Sequence, residues 1–190
     1  EKSGENFFWS GKYHENMNKR DTLETQVNVL ANFNPKLPLK FLDTNILVLG
    51  NLDPKVQLSV VNQFANSPDF IMLDTMNFWM DNSLNDLISV ISKVDLICIN
   101  DEEVIQLSGC DNINEGVKKI LKMGPKYLIM KRGEFGATVF SNKAQYNCKT
   151  YKVNNVVDPT GAGDSFAGGF AGYLAESKDY SFESISNALI

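Results

Sequence analysis

Four short runs in the middle of the chain are apolar at every position: Ile46-Leu47-Val48-Leu49, Phe70-Ile71-Met72-Leu73, Leu96-Ile97-Cys98-Ile99 and Tyr127-Leu128-Ile129-Met130. A strand with one wet face alternates apolar and polar residues, so unbroken runs of this length predict strands buried on both faces. The segments between them have helical spacing. Asp53 as N-cap and Pro54 at the first helical position open a helix expected to reach about Ala65. Leu87, Ile88 and Ile91 mark a second over residues 84–94, and Val104, Ile105 and Leu107 a third after the Leu96 strand. Val117, Ile120 and Leu121 mark a fourth over residues 113–123, closed by Gly124-Pro125. Strands alternating with helices predict an α/β fold, a mostly parallel sheet covered on both faces. The residues between Leu73 and Leu84 read as a polar turn.

Toward the ends the pattern changes. Residues 6–13 and 25–33 are rich in aromatic or β-branched residues and partly alternate, so both read as extended, pairing with strands outside the chain. Residues 137–140 and 146–153 read as further strands, the second antiparallel because its connection is short. Small and apolar residues at helical spacing run from Phe166 to Leu174, and a last helix is expected over residues 180–190.

Composition narrows the class without naming a function. The chain has 190 residues, of which 43% are apolar and 22% charged, enough for one domain with a sizeable core. No apolar run approaches the roughly 20 residues of a membrane helix, and no leader opens the chain, so a cytoplasmic protein is expected. Cys98, Cys110 and Cys148 are odd in number and widely spaced, which suits neither a disulfide framework nor a zinc site. A net charge of −5 argues against sequence-independent nucleic-acid binding. The only histidine, His14, lies among polar residues and reads as a surface group. The missing initiator methionine and the helix-like run still open at Ile190 lead us to expect a chain truncated at both ends.

Chemistry concentrates in Val156-Val157-Asp158-Pro159-Thr160-Gly161-Ala162-Gly163-Asp164-Ser165-Phe166-Ala167-Gly168-Gly169-Phe170. Pro159 stops the preceding extended segment, and Gly161, Ala162 and Gly163 leave the backbone unshielded where a helix begins. The first amides of a helix lack intrahelical partners and carry the positive end of its dipole, so they suit an anion. Asp164 sits beside that cradle and would repel a permanent pyrophosphate. If negative charge develops during a phosphoryl transfer, the same carboxylate can accept the proton of the attacking hydroxyl. Phe166 stands where a dinucleotide fingerprint needs its third glycine, and no glycine-rich run ends in Gly-Lys-Ser/Thr. The plain alternative is a glycine-rich helix start chosen for close packing.

Three further groups lie at strand ends. Asp74, Asn77 and Trp79 follow the second apolar strand, where open α/β sheets place ligands, although loop packing explains an Asn and a Trp equally well. Asn100 and Glu103 open the helix after the third strand and read as a capping box. Lys131 and Gly133, in Lys131-Arg132-Gly133-Glu134-Phe135-Gly136, suit nucleotide phosphates or simply form a hairpin turn with solvated cations.

The run from Asp158 to Phe166 resembles the C-terminal signature of the PfkB, or ribokinase-like, family of carbohydrate kinases. The resemblance implies a three-layer αβα sandwich of ribokinase type over residues 1–190, with residues 1–33 contributing lid and edge strands. It implies ATP as phosphoryl donor and Mg²⁺ as its partner ion, with Asp164 as catalytic base and Gly161, Ala162 and Gly163 as an anion hole. Asp158 lies where family members often bind a monovalent cation such as K⁺. The Asn-x-x-Glu of Asn100 and Glu103 resembles the family motif whose Glu holds magnesium-bound water and whose Asn lies close to the phosphates. Lys131 and Gly133 match a Lys/Thr-x-Gly-x-x-Gly stretch bordering the ATP site. A small sugar is the expected acceptor, a nucleoside the alternative, and a non-catalytic nucleotide-binding protein the reading from another class. The resemblance also leaves room for a homodimer in which the lid is shared.

Overall fold

The computed structural model describes residues 3–15, 17, 20–154 and 156–190. β1 (Phe8–Tyr13) and β2 (Arg20–Gln26) form a separate two-stranded antiparallel sheet. They pair with each other in a register that shifts between Ser10 and Gly11. The Trp9 ring lies across Gly11, where an added Cβ would come within 2.3 Å of it.

The second extended run, over residues 25–33, is corrected. β2 stops at Gln26, and Asn28–Asn32 is a 3-10 turn. Asn28 adopts a φ of +50°, and its side-chain amide donates to the Asn6 carbonyl at 2.8 Å. Asn tolerates that left-handed conformation better than its β-branched neighbours, so one polar residue breaks the strand.

The four apolar runs are parallel neighbours: β3 (Ile46–Leu49), β4 (Phe70–Asp74), β5 (Leu96–Asn100) and β6 (Tyr127–Lys131). β7 (Ala137–Ser141) and β8 (Gln145–Cys148) extend the sheet antiparallel, so its spatial order is the chain order from β3 to β8. β8 is antiparallel as expected but ends at Cys148.

Helices cover both faces. On one side α1 (Pro54–Val61), α3 (Leu84–Ile91), α4 (Asp101–Ser108) and α5 (Ile113–Leu121) pack on Ile71, Leu73, Ile97, Ile99, Leu128 and Met130. On the other, α6 (Ala162–Ser177) and α7 (Phe182–Asn187) pack on Phe70, Met72, Leu96, Cys98 and Ile129. Consecutive residues of β4 and β5 thus alternate between two cores, which is why the first four positions of each are apolar and only the terminal Asp74 and Asn100 are polar. The αβα sandwich is therefore present, with a mostly parallel sheet.

Most helix starts follow the local signals. Asp53 accepts from the Lys55 amide at 2.8 Å with Pro54 at N1. Helix ends come earlier than the apolar spacing suggests. α1 stops at Val61, four residues short of Ala65, and α3 at Ile91, because the following amides turn to the carbonyls three residues back. α7 likewise spans less than residues 180–190, starting from Ser181, whose side chain accepts from the Ser184 amide. The expected polar turn before Leu84 instead holds a short helix, α2 (Asn77–Asn82), which buries Trp79 and sets Met80 into the first core.

Candidate active site

Asp74, Asn100 and Lys131 are the last residues of β4, β5 and β6. Counting back by twos reaches Met72, Cys98 and Ile129, all in the core beneath α6. Strand alternation therefore assigns all three strand-end residues to the α6 side of the sheet, at the carboxyl ends of the parallel strands.

The Lys131 Nζ donates to Asp74 Oδ1 at 3.2 Å, with side chains only 23% and 13% exposed. Burial opposes the Lys131 charge, but the Cys98 sulfur and the Asp74 and Glu103 carboxylates outweigh it and raise its pKa. Burial likewise raises the Asp74 pKa, more than Lys131 lowers it, and the Asp164 charge adds in the same direction. Cys98 lies fully buried below the pair, and burial pushes its thiol up to about 12.

Above this pair α6 begins. Gly161 caps it at a φ of +79°, a left-handed position where glycine carries no Cβ penalty. The Ala162 amide donates to the Pro159 carbonyl at 3.1 Å, and the Ser165 amide makes the first helical turn to Gly161 at 2.9 Å. Between them, the amides of Gly163 and Asp164 find no protein acceptor among the described residues. A Cβ added to Gly163 would lie 3.5 Å from Lys131 Nζ, so the ammonium sits directly behind the bare backbone. Asp164 itself is exposed in the first turn.

Asn100 and Glu103 form the capping box. Asn100 Oδ1 accepts from the Glu103 amide and Glu103 Oε2 from the Asn100 amide, both at 2.8 Å. Glu103 is 5% exposed, and its charge reaches Lys131. Asp158 is exposed, and its Oδ1 accepts from the Thr160 amide at 2.9 Å. Bonds from the Thr160 side chain and backbone hold its carboxyl below the usual range. The Tyr13 hydroxyl, from β1, lies 3.0 Å from Thr160 Oγ1, which brings the small sheet against this loop. Tyr13, Trp9, Asp158 and Pro159 line a cavity of about 620 Å³ there.

Other strand-end candidates have structural employment. Trp79 is buried, its Nε1 donating to Asn51 Oδ1 at 2.9 Å, and the Asn77 side-chain amide donates to Gln106. Gly133 is exposed in the turn after β6, where its carbonyl accepts from Thr150 Oγ1 at 3.0 Å. His14 is at the surface, 3.1 Å from Asp21. Sequence reading missed Gln57, 2% exposed, whose Nε2 donates to the carbonyls of Gly50 and Asp74 at 2.7 and 3.2 Å. Its signal was a polar residue one turn after Pro54 on the buried face of α1.

Residues 3–183 match the model of the pfkB family carbohydrate kinases. The chain is 26% identical over 166 residues to a cytidine kinase of Thermococcus kodakarensis, covering 85% of this chain and 59% of that protein. The chain thus spans little more than half the length of that relative. Among solved structures, a ribokinase of Giardia lamblia superposes with a TM-score of 0.79 at 18% identity, covering 98% of this chain and 63% of that one. A nucleoside kinase of Burkholderia thailandensis, in complex with inosine, superposes with a TM-score of 0.73 at 18% identity, covering 97% and 60%. At such identities the two structures speak to the fold.

Proposed function

The chain belongs to the PfkB family of carbohydrate kinases, and from that premise we propose that it transfers the γ-phosphoryl group of ATP to a hydroxyl of a small sugar. The observation that carries this reading is Asp164 in the first turn of α6, beside the two amides that have no protein acceptor among the described residues. A carboxylate at a site built for a permanent anion would weaken binding. A carboxylate at a site where charge develops can take the proton of the attacking hydroxyl. The amides of Gly163 and Asp164, with the positive end of α6, stabilise the transferring group. Gly161 sets the backbone that aims them, and Ala162 keeps the approach narrow without blocking it. Lys131 and Gly133 border the nucleotide, and Asn100 lies next to its phosphates.

The donor set suits a divalent ion brought in by the nucleotide. Among the described residues no group of three His, Cys, Asp or Glu side chains is assembled to hold a metal. Glu103 supplies one carboxylate, which fits a hydrated Mg²⁺ held chiefly by phosphates. When bound, the ion neutralises phosphate charge. Asp158 offers a monovalent cation a single carboxylate already engaged with Thr160, and no step depends on that cation. A second reading, in which the acceptor hydroxyl belongs to a nucleoside, is favoured by the similarity to a cytidine kinase along 85% of the chain.

ADP release by the full-length protein with Mg-ATP, across sugars and nucleosides, tests both readings. The Asp164→Asn variant should lose about 10²- to 10⁴-fold in kcat while ATP affinity holds or improves. Near-normal turnover in that variant would remove Asp164 from the chemistry. Firm ATP binding without turnover on any acceptor would favour a non-catalytic nucleotide-binding protein.

A further inference from the structure

The Asp74–Lys131 pair has no sufficient explanation in stability. Its neighbours two residues back along the strands, Met72 and Ile129, are 1% and 0% exposed. Apolar residues at the next positions would extend that core, whereas a largely buried ion pair seldom repays the desolvation of its two charges. Among the described residues the pair is also incomplete as a hydrogen-bonded unit. An ammonium has three donors, and one of them reaches Asp74. The remaining positive charge faces Gly163, the position in the first turn of α6 where the lack of a side chain leaves Nζ uncovered.

Two other carboxylates bear on the pair. Glu103 acts on Lys131, and Asp164 acts on Asp74. Glu103 is anchored to the Asn100 amide. Asp164 is exposed and able to turn. Were Lys131 free to pair with Asp164, the pair would neutralise the base and occupy the space of the phosphoryl group together. Asp74 prevents this by fixing Nζ from below.

We propose that Asp74 is a positioning residue that holds the Lys131 ammonium behind Gly163, facing the terminal phosphoryl group of ATP, and keeps it from pairing with Asp164. This rests on the kinase reading. Lys131 then distinguishes ATP from ADP, because its charge meets only the group that ADP lacks. Asp74 touches neither nucleotide nor acceptor and acts through Lys131.

The test is equilibrium binding of Mg-ATP and Mg-ADP to the full-length protein without acceptor, by calorimetry, followed by steady-state kinetics. Lys131→Met should weaken ATP binding by about 10- to 100-fold, the usual worth of a charge-assisted hydrogen bond, while ADP binding changes far less. Asp74→Asn, close in shape, should lower kcat by about tenfold or more with acceptor KM unchanged, and should weaken Mg-ATP binding while Mg-ADP binding changes far less. A wild-type ATP-to-ADP preference in Lys131→Met would overturn the proposal, as would wild-type kcat in Asp74→Asn. A purely structural pair would lower the unfolding midpoint and leave both quantities unmoved. If Lys131→Met does not fold, Asp74→Asn decides alone. If the wild-type protein neither binds ATP nor turns over, the kinase reading fails first and takes this inference with it.

Discussion

Replacing Gly163 by alanine should make the protein slightly more stable and much less active. The backbone at Gly163 is not left-handed, and the added methyl meets only Lys131 Nζ, at 3.5 Å, which is ordinary contact. Nothing in the fold has to move. Glycine costs up to about 1 kcal/mol relative to alanine inside a helix and less in the first turn, so a gain of about 0.5 kcal/mol is reasonable. For a domain of this size that corresponds to an unfolding midpoint higher by about 1–2 °C. The methyl, however, lies against the ammonium beside the Gly163 and Asp164 amides, and should crowd an anion that both would hold. Losing one preorganised donor of this kind costs about 10²- to 10³-fold in kcat. Thermal unfolding and ADP release on the preferred acceptor, run on the same preparation, measure both effects. Turnover within about threefold of wild type would refute the cradle. A midpoint falling by several degrees would refute the packing argument. Gly163→Val adds two more methyls and should be worse in both respects.

Glu103→Gln keeps an oxygen that can accept from the Asn100 amide, so stability should fall by less than about 1 kcal/mol, while the Mg²⁺ concentration for half-maximal rate rises. Unchanged magnesium dependence with a lower midpoint would reduce Glu103 to its capping role. Cys98 gives a pH signature. Its thiol is pushed from 9.0 to about 12 in the folded protein, so its contribution to stability is complete below pH 9 and is lost as pH rises toward 12. The loss should run at about 1.4 kcal/mol per pH unit, and the stability difference between wild type and Cys98→Ala in urea should shrink accordingly. A constant difference would contradict the burial. Gly136→Ala should cost on the order of 3 kcal/mol, because its φ is +89° and the new Cβ would lie 2.0 Å from the Cys148 carbonyl oxygen. A wild-type urea midpoint would show that the β7–β8 edge yields more easily than it is placed.

The sequence by itself determined the elements whose cause is local or repeated. Four all-apolar runs marked the parallel strands, each a neighbour of the next, but only β4, β5 and β6 are covered on both faces; β3, at the sheet edge, buries Leu49 and leaves Val48 41% exposed. The capping box of Asn100 and Glu103 was legible because both partners lie within one helical turn. The glycine-rich start of α6 was legible for the same reason, and its resemblance to the PfkB signature supplied a chemistry that the spacing alone left open. Tertiary structure decided whatever depends on distant partners. α2 exists because Met80 reaches a core built by other elements and Trp79 is buried with its Nε1 on Asn51, and β2 stops where Asn28 reaches back to Asn6. The Ala162 amide belongs to the Pro159 carbonyl, which leaves the cradle to Gly163 and Asp164. The pairing of Asp74 with Lys131, 57 residues apart, was invisible along the chain. It follows only once β4, β5 and β6 are neighbours in register, when alternation turns both residues to the same side and the first turn of α6 is set above them.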